Sequence, residues 1–312
     1  MWHVHGSWAT SFVQGPHDYV VPVTPRRDAD GLGRARTWNW PASVVERTPA
    51  QLADEPIDVV LLQRVEEIEL AHRWLGRRPG RDVPAIFLEH NAPEPHPVLS
   101  RHPLADQNAI PVVHVTYFNR MFWDSGRASA SVIEHGIVDP GELYTGDVPH
   151  AGVVVNDPIR RGRMVGTDLL PVFADAVPLE VFGMRVAALA VAPRIVTHED
   201  LPQNRMHEAL ARLRMYIHPV RWTSLGLSLL EAMHLGLPVV ALDSTEVRRA
   251  VPAQAGVVST DIDELVAAAR LFAAEPEAAR IAGKAARMAA LERYGLQRFL
   301  TDWNRALDEV SA

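Results

Sequence analysis

The chain has 312 residues, 47% of them hydrophobic, a formal net charge of -7 and no cysteine. That length fits two domains of ordinary size, and the dispersed acidic balance, with no basic block, argues against nucleic acid as a partner. The missing thiols exclude disulfides, iron–sulfur ligation, thiolate zinc sites and a cysteine nucleophile. The N-terminus lacks the charged start and apolar core of a signal peptide, and no window approaches the ~20 apolar residues of a spanning helix. A cytoplasmic protein without a transmembrane segment is expected, with peripheral membrane binding left open. Lys284 is the only lysine, so anion binding falls to arginine forks, backbone amides or helix ends.

In chain order, β-branched runs alternate with helical patterns. Strands are expected at Trp2–His5, Tyr19–Val23, Ile57–Leu62, Ala85–Glu89, Val112–Thr116 and Ser131–Glu134. Between them, RVEEIELAHRWLG spaces Val65, Ile68, Leu70, Ala71 and Leu75 as one helix face. Barely a dozen residues separate the first two strands, fewer than a full crossover helix wants, so this half reads as trimmed. A second series follows at Gly152–Val155, Leu179–Phe182, Met215–His218, Pro238–Leu242 and Gly256–Val258. Strand, helix, strand in succession means βαβ units and largely parallel sheets. IVDPGELYTGDVPHAG has no apolar period, which places a hinge near residue 148. The domains expected are therefore 1–148 and 149–295. A closing helix over 296–312 carries Phe299, Leu300, Trp303, Leu307 and Val310 on one stripe and should dock back on the first domain.

The run RWTSLGLSLLEAMHLGLPVVA (residues 221–241) concentrates the chemistry. It reads as a loop, a helix from Ser228, a turn and a strand. Gly226 at the loop-to-helix junction lets a ligand approach closely. The amides of Leu227, Ser228 and Leu229 would then be open donors at a positive helix end, suited to phosphate. Glu231, one turn in, either faces solvent or accepts two hydrogen bonds from a sugar diol, since its neighbours are apolar.

Together, HPVRWTSLGLSLLEAMHLGLPVVAL resembles the signature of retaining family-4 glycosyltransferases: a proline-bounded loop, Glu, seven residues, Glu-Ala-Met, then Gly-x-Pro-Val-Val. The likeness extends over residues 152–307. It implies an α/β protein of GT-B fold, two Rossmann-like domains with mainly parallel sheets facing a central cleft. It also implies transfer of a sugar from a nucleotide-sugar donor, with retention, to a glycan, lipid or small-molecule acceptor that the residues do not identify. On that resemblance Glu231 binds the ribose; losing two charge-assisted bonds there should cost ~2–5 kcal/mol of donor binding. Thr223 occupies the position of the first glutamate and takes its place as a catalytic candidate, but a hydroxyl brings no charge to an oxocarbenium-like transition state.

The resemblance also implies a diphosphate site in VVVNDPIRRGRMVGTDLLPVF. Arg160 falls on the family's arginine, Val165 on its lysine, and Arg161 and Arg163 are near enough to substitute. In FLEHNAP, His90 ends a strand and is implied to touch the donor sugar as a catalytic residue. Gly6 loosely fits the family's glycine-rich loop after the first strand, and Gly136 its hinge glycine. His3 and His5 read as packed rather than metal-bound. Neither cofactor nor metal is expected. The rivals are a nucleotide-sugar epimerase or hydrolase, and a non-catalytic nucleotide-sugar-binding subunit of the same fold, the latter motivated by Thr223.

Overall fold

The structure is a computed structural model that describes residues 1–190 and 193–312. The chain divides into two compact units, residues 1–138 with 296–312, and residues 139–295. The break at Val138/Asp139 lies before the expected residue 148, because the hinge-like run is already tied to unit 2. The amides of Thr145 and Gly146 donate to Ala211 O, and Tyr144 Oη donates to Arg214 O at 2.9 Å.

Unit 1 contains α1 (Gly6–Phe12), β1 (Tyr19–Pro22), β2 (Val44–Arg47), α2 (Pro49–Leu52), β3 (Val60–Leu62), α3 (Glu66–Leu75), β4 (Ala85–Glu89), β5 (Val112–His114), α4 (Tyr117–Phe122) and β6 (Ala130–Val132). Its strands form a parallel pair, β1-β2, and a parallel sheet in the order β3-β4-β5-β6. The strand expected at Trp2–His5 is absent as a ladder. That segment is tethered by single bonds instead: Met1 N donates to Val20 O (3.0 Å) and Gln63 Nε2 donates to Trp2 O (2.7 Å). A cavity of about 1030 Å³ opens beside it, lined among others by Trp2, Tyr19, Val60 and Trp74, and by none of the expected site residues. Gly6 does not lie in a loop; it begins α1, the short helix that the first crossover has room for.

Unit 2 contains β7 (Val148–Val154), α5 (Pro158–Arg161), α6 (Leu170–Ala176), β8 (Leu179–Gly183), β9 (Ile195–Glu199), α7 (Gln203–Ala211), β10 (Leu213–His218), α8 (Leu227–Leu235), β11 (Val239–Leu242), α9 (Val247–Ala250), β12 (Gly256–Ser259), α10 (Ile262–Ala274) and α11 (Pro276–Tyr294). All ladders are parallel, in the order β12-β11-β10-β7-β8-β9. This is the doubly wound arrangement, whose order reverses between β7 and β10. Alternation sends Met215 and Ile217 of β10 into one core with Phe173 of α6 and Phe272 of α10. Tyr216 and His218 are turned to the other face, where Tyr216 meets Ser228 of α8.

The closing helix, α12 (Leu296–Ser311), belongs to unit 1. Trp303 is 1% exposed, with its ring edge-on to Trp8 (5.5 Å) and Phe12 (5.1 Å). Among the described residues, no helix is long and apolar enough to cross a membrane.

Candidate functional site

In doubly wound sheets, ligands sit outside the carboxyl ends of the strands at the point where the order reverses. In unit 2 that point is framed by the segment after β7 and the loop Pro219–Gly226 after β10. Backbone ties the two together: the amides of Arg221 and Trp222 donate to Met164 O at 2.9 and 3.2 Å. Gly166 has φ +76°, and a Cβ there would lie 2.1 Å from Pro219 O. Only glycine allows that approach. Arg221 adds a fork on Asp168, at 2.6 and 2.9 Å.

The loop delivers the chain to α8. Gly226 is its N-cap and makes no side-chain cap. Its missing side chain leaves room for the His218 ring, whose Cε1 would be 2.6 Å from a Cβ. Among the described residues, the amides of Leu227 and Ser228 have no acceptor, whereas Leu229 N donates to Gly226 O at 3.1 Å. Two of the three expected amides are thus open; the third is spent closing the first helical turn. The open pair lies at the positive end of a nine-residue helix.

Glu231 does not face solvent. It is 3% exposed and held from α7: Gln203 Nε2 donates to Oε1 at 3.2 Å, and His207 Nε2 lies 3.4 Å from Oε2. A buried carboxylate needs such partners. Thr223 is half-buried in the loop after β10.

The arginines are engaged by neighbouring carboxylates. Arg160, on α5, pairs with Asp157, which also takes Arg185 at 3.1 Å; these contacts, Arg160 first, hold the Asp157 carboxyl below its ordinary range. Arg163 pairs with Asp168 at 2.8 Å. Their side chains are 71% and 76% exposed, so both can swing to an anion at little cost.

His90, Gly6 and Gly136 lie in unit 1. His90 ends β4 and is buried. Gln63 Nε2 is committed to Trp2 O, so Gln63 Oε1 accepts from His90 Nε2 at 2.9 Å and leaves Nδ1 as the acceptor nitrogen. Burial, then His5 and His135, push its pKa well below the ordinary value, so the ring is neutral. His5 packs on it at 4.0 Å. Gly6 lies under Trp38, with a would-be Cβ 3.1 Å from the indole nitrogen. Gly136 admits Phe299, whose Cβ would be 2.3 Å away. Each glycine leaves room for an aromatic neighbour.

The sequence reading missed His218, Tyr216, Gln203 and His207. The one local signal was Arg214, Tyr216 and His218 recurring at every second position of the strand LRMYIH.

Residues 174–275, a third of the chain, match the family model described as glycosyl transferases group 1. Among curated proteins, none matches the sequence. Several solved structures are similar. HepE from Anabaena, in complex with UDP and glucose, has a TM-score of 0.63 at 14% identity, over 85% of this chain and 86% of that one. Sucrose-phosphate synthase from Thermosynechococcus elongatus gives 0.62 at 14%, over 82% and 74%. TarM of S. aureus gives 0.59 at 13%, over 76% and 53%, so this chain spans about half of TarM. The fold is GT-B.

Proposed function

We propose, from a GT-B fold whose second unit carries the glycosyl transferases group 1 match, that this chain transfers a sugar from a nucleotide-sugar donor with retention of configuration. The observation that carries the reading is the buried Glu231 one turn behind the open amides of Leu227 and Ser228, at the reversal point of the unit 2 sheet. Phosphate oxygens suit the amides, and a ribose diol suits a carboxylate already positioned by Gln203 and His207. UDP bound to HepE, a protein of similar fold, supports a nucleoside diphosphate as the first ligand to try. Arg160 and Arg163 are proposed to neutralise the leaving diphosphate, so that no metal is required, and His90 to serve the transfer step.

Calorimetric titration with UDP, ADP and GDP tests this. One of them should bind, equally well with EDTA present, and Glu231→Gln should weaken it ~10-fold or more. Unchanged affinity in that variant, or no binding by the wild type, would overturn the reading. Thr223 favours one other reading, a nucleotide-sugar-binding subunit without transfer activity. It would bind the same ligand and turn over no donor with any acceptor.

A further inference from the structure

Beneath the first turn of α8 lies a chain of three polar side chains whose proton directions follow from burial. Tyr216 is fully buried; its Oη lies 3.0 Å from Ser228 Oγ and 3.5 Å from His218 Nδ1. His218 is 2% exposed, and among the described residues its Nε2 has no hydrogen-bond partner. The Cε1–Nε2 edge of that ring is pressed on the N-cap, with Nε2 3.3 Å from where Gly226 would carry a Cβ.

Burial brings the His218 pKa down to about 4 and raises that of Tyr216. At neutral pH the imidazole therefore carries one proton and the phenol keeps its own. Two orderings remain. If Ser228 donates to Tyr216 and Tyr216 to His218 Nδ1, the ring proton must sit on Nε2, an orphaned buried N–H. Native structures almost never leave one, and an under-used acceptor is the lesser fault. The other ordering puts the proton on Nδ1, which donates to Tyr216 Oη; Tyr216 in turn donates to Ser228 Oγ. Ser228 then accepts from below and its own proton is free to point outward. Its side chain is only half-buried, beside the open amides of Leu227 and Ser228.

We infer that His218 and Tyr216 orient the Ser228 hydroxyl as a hydrogen-bond donor to a phosphate oxygen of the ligand at the α8 N-terminus. Ser228 is then a specificity-determining contact for the diphosphate through its side chain as well as its amide. Tyr216 and His218 are positioning residues that act through it. The inference rests on the nucleotide-sugar reading above and adds a residue role to it.

The test is a double-mutant cycle on the binding of UDP, ADP, GDP and inorganic pyrophosphate by the full chain, with the matching nucleosides as controls. Ser228→Ala should weaken the diphosphate that binds by roughly tenfold while leaving its nucleoside unchanged. Tyr216→Phe should weaken it several-fold in the wild-type background and not at all in Ser228→Ala, because its effect passes through that hydroxyl. His218→Asn, which keeps a donor near the Nδ1 position, should stay close to wild type, and His218→Leu should behave as Tyr216→Phe. Effects of Ser228→Ala and Tyr216→Phe that multiply, or an unchanged affinity in Ser228→Ala, would overturn the relay while the nucleotide reading stands. Failure of the wild type to bind any diphosphate would overturn both.

Discussion

The carboxyl edges of the two sheets are built from different chemistry. In unit 2 the edge is mostly backbone: Gly166 against the Pro219 carbonyl, two amides on Met164 O, and two open amides at α8. In unit 1 it is side chains: His90 on Gln63, with His5 and Trp8 packed on the imidazole. Backbone donors do not titrate, so an anion site made of them holds its charge preference at any pH. Imidazoles kept neutral by burial do titrate, and the structure around them resists the proton. The two units should therefore fail under different perturbations.

The largest effect is expected where backbone meets backbone. Gly166→Ala adds a Cβ 2.1 Å from a carbonyl oxygen at φ +76°, which cannot be relieved by turning a side chain. The loss should be on the order of 5 kcal/mol, seen in denaturant titration, with nucleotide binding lost as well. A variant of wild-type stability would mean that the two loops are not in contact. Next is Trp303→Ala, which empties the aromatic cluster of Trp8, Phe12 and Phe299 in unit 1. About 3–4 kcal/mol should be lost. Hydrogen exchange should rise over unit 1 and stay low over β7, β10 and β11.

These contacts also show what the sequence made legible. Five of the six unit 2 strands were found as short, largely apolar runs between turn residues; β9 was missed because IVTHE mixes apolar and polar residues at a sheet edge. β2 was missed because VVER is only four residues with one of them buried. The strand pattern at Trp2–His5 was real in composition, yet no ladder forms there, and ladder formation is a tertiary outcome. In the candidate site, Gly226, the amides and Glu231 are contiguous in sequence and could be read from it. Gln203, His207 and Tyr216 could not, because what brings them to Glu231 and Ser228 is the way α7 and α8 cross β10.

Acid should separate the units. His5 is pushed down to about 4, His135 and His114 to about 3, and His90 well below its ordinary value, each first by burial and then by neighbouring cations or imidazoles. Unit 2 has only His218, at about 4, and His234 shifted the same way. A depressed histidine pKa means that the unfolded chain takes up protons first, from about pH 6.5 downward, while the native form does not. Stability is therefore full above pH 6.5 and falls as the pH drops toward 4, by on the order of 3 kcal/mol for each of His5, His114, His135 and His218. Seven of the eight tryptophans, all but Trp222, lie in unit 1, so indole fluorescence reports it selectively. The fluorescence transition in urea should move to lower urea between pH 7 and 5 by more than the loss of nucleotide binding does. Equal movement would show that the histidines do not distinguish the units.

The smallest effect concerns the charged fork across the unit 2 loops. Arg221 holds Asp168 through both guanidinium nitrogens, and with Arg163 it keeps that carboxyl below its ordinary range, Arg221 contributing most. Both partners are about a third exposed, so water and salt screen much of the attraction. The same loops remain joined by the Arg221 and Trp222 amides, which a side-chain truncation leaves in place. Arg221→Ala should thus cost less than ~1 kcal/mol, and the wild-type protein should lose little stability between 0.1 and 1 M salt. A loss of several kcal/mol in the variant, or a strong salt dependence in the wild type, would mean that charge rather than backbone joins the two loops. The contrast with the side-chain-built edge of unit 1 would then have to be redrawn.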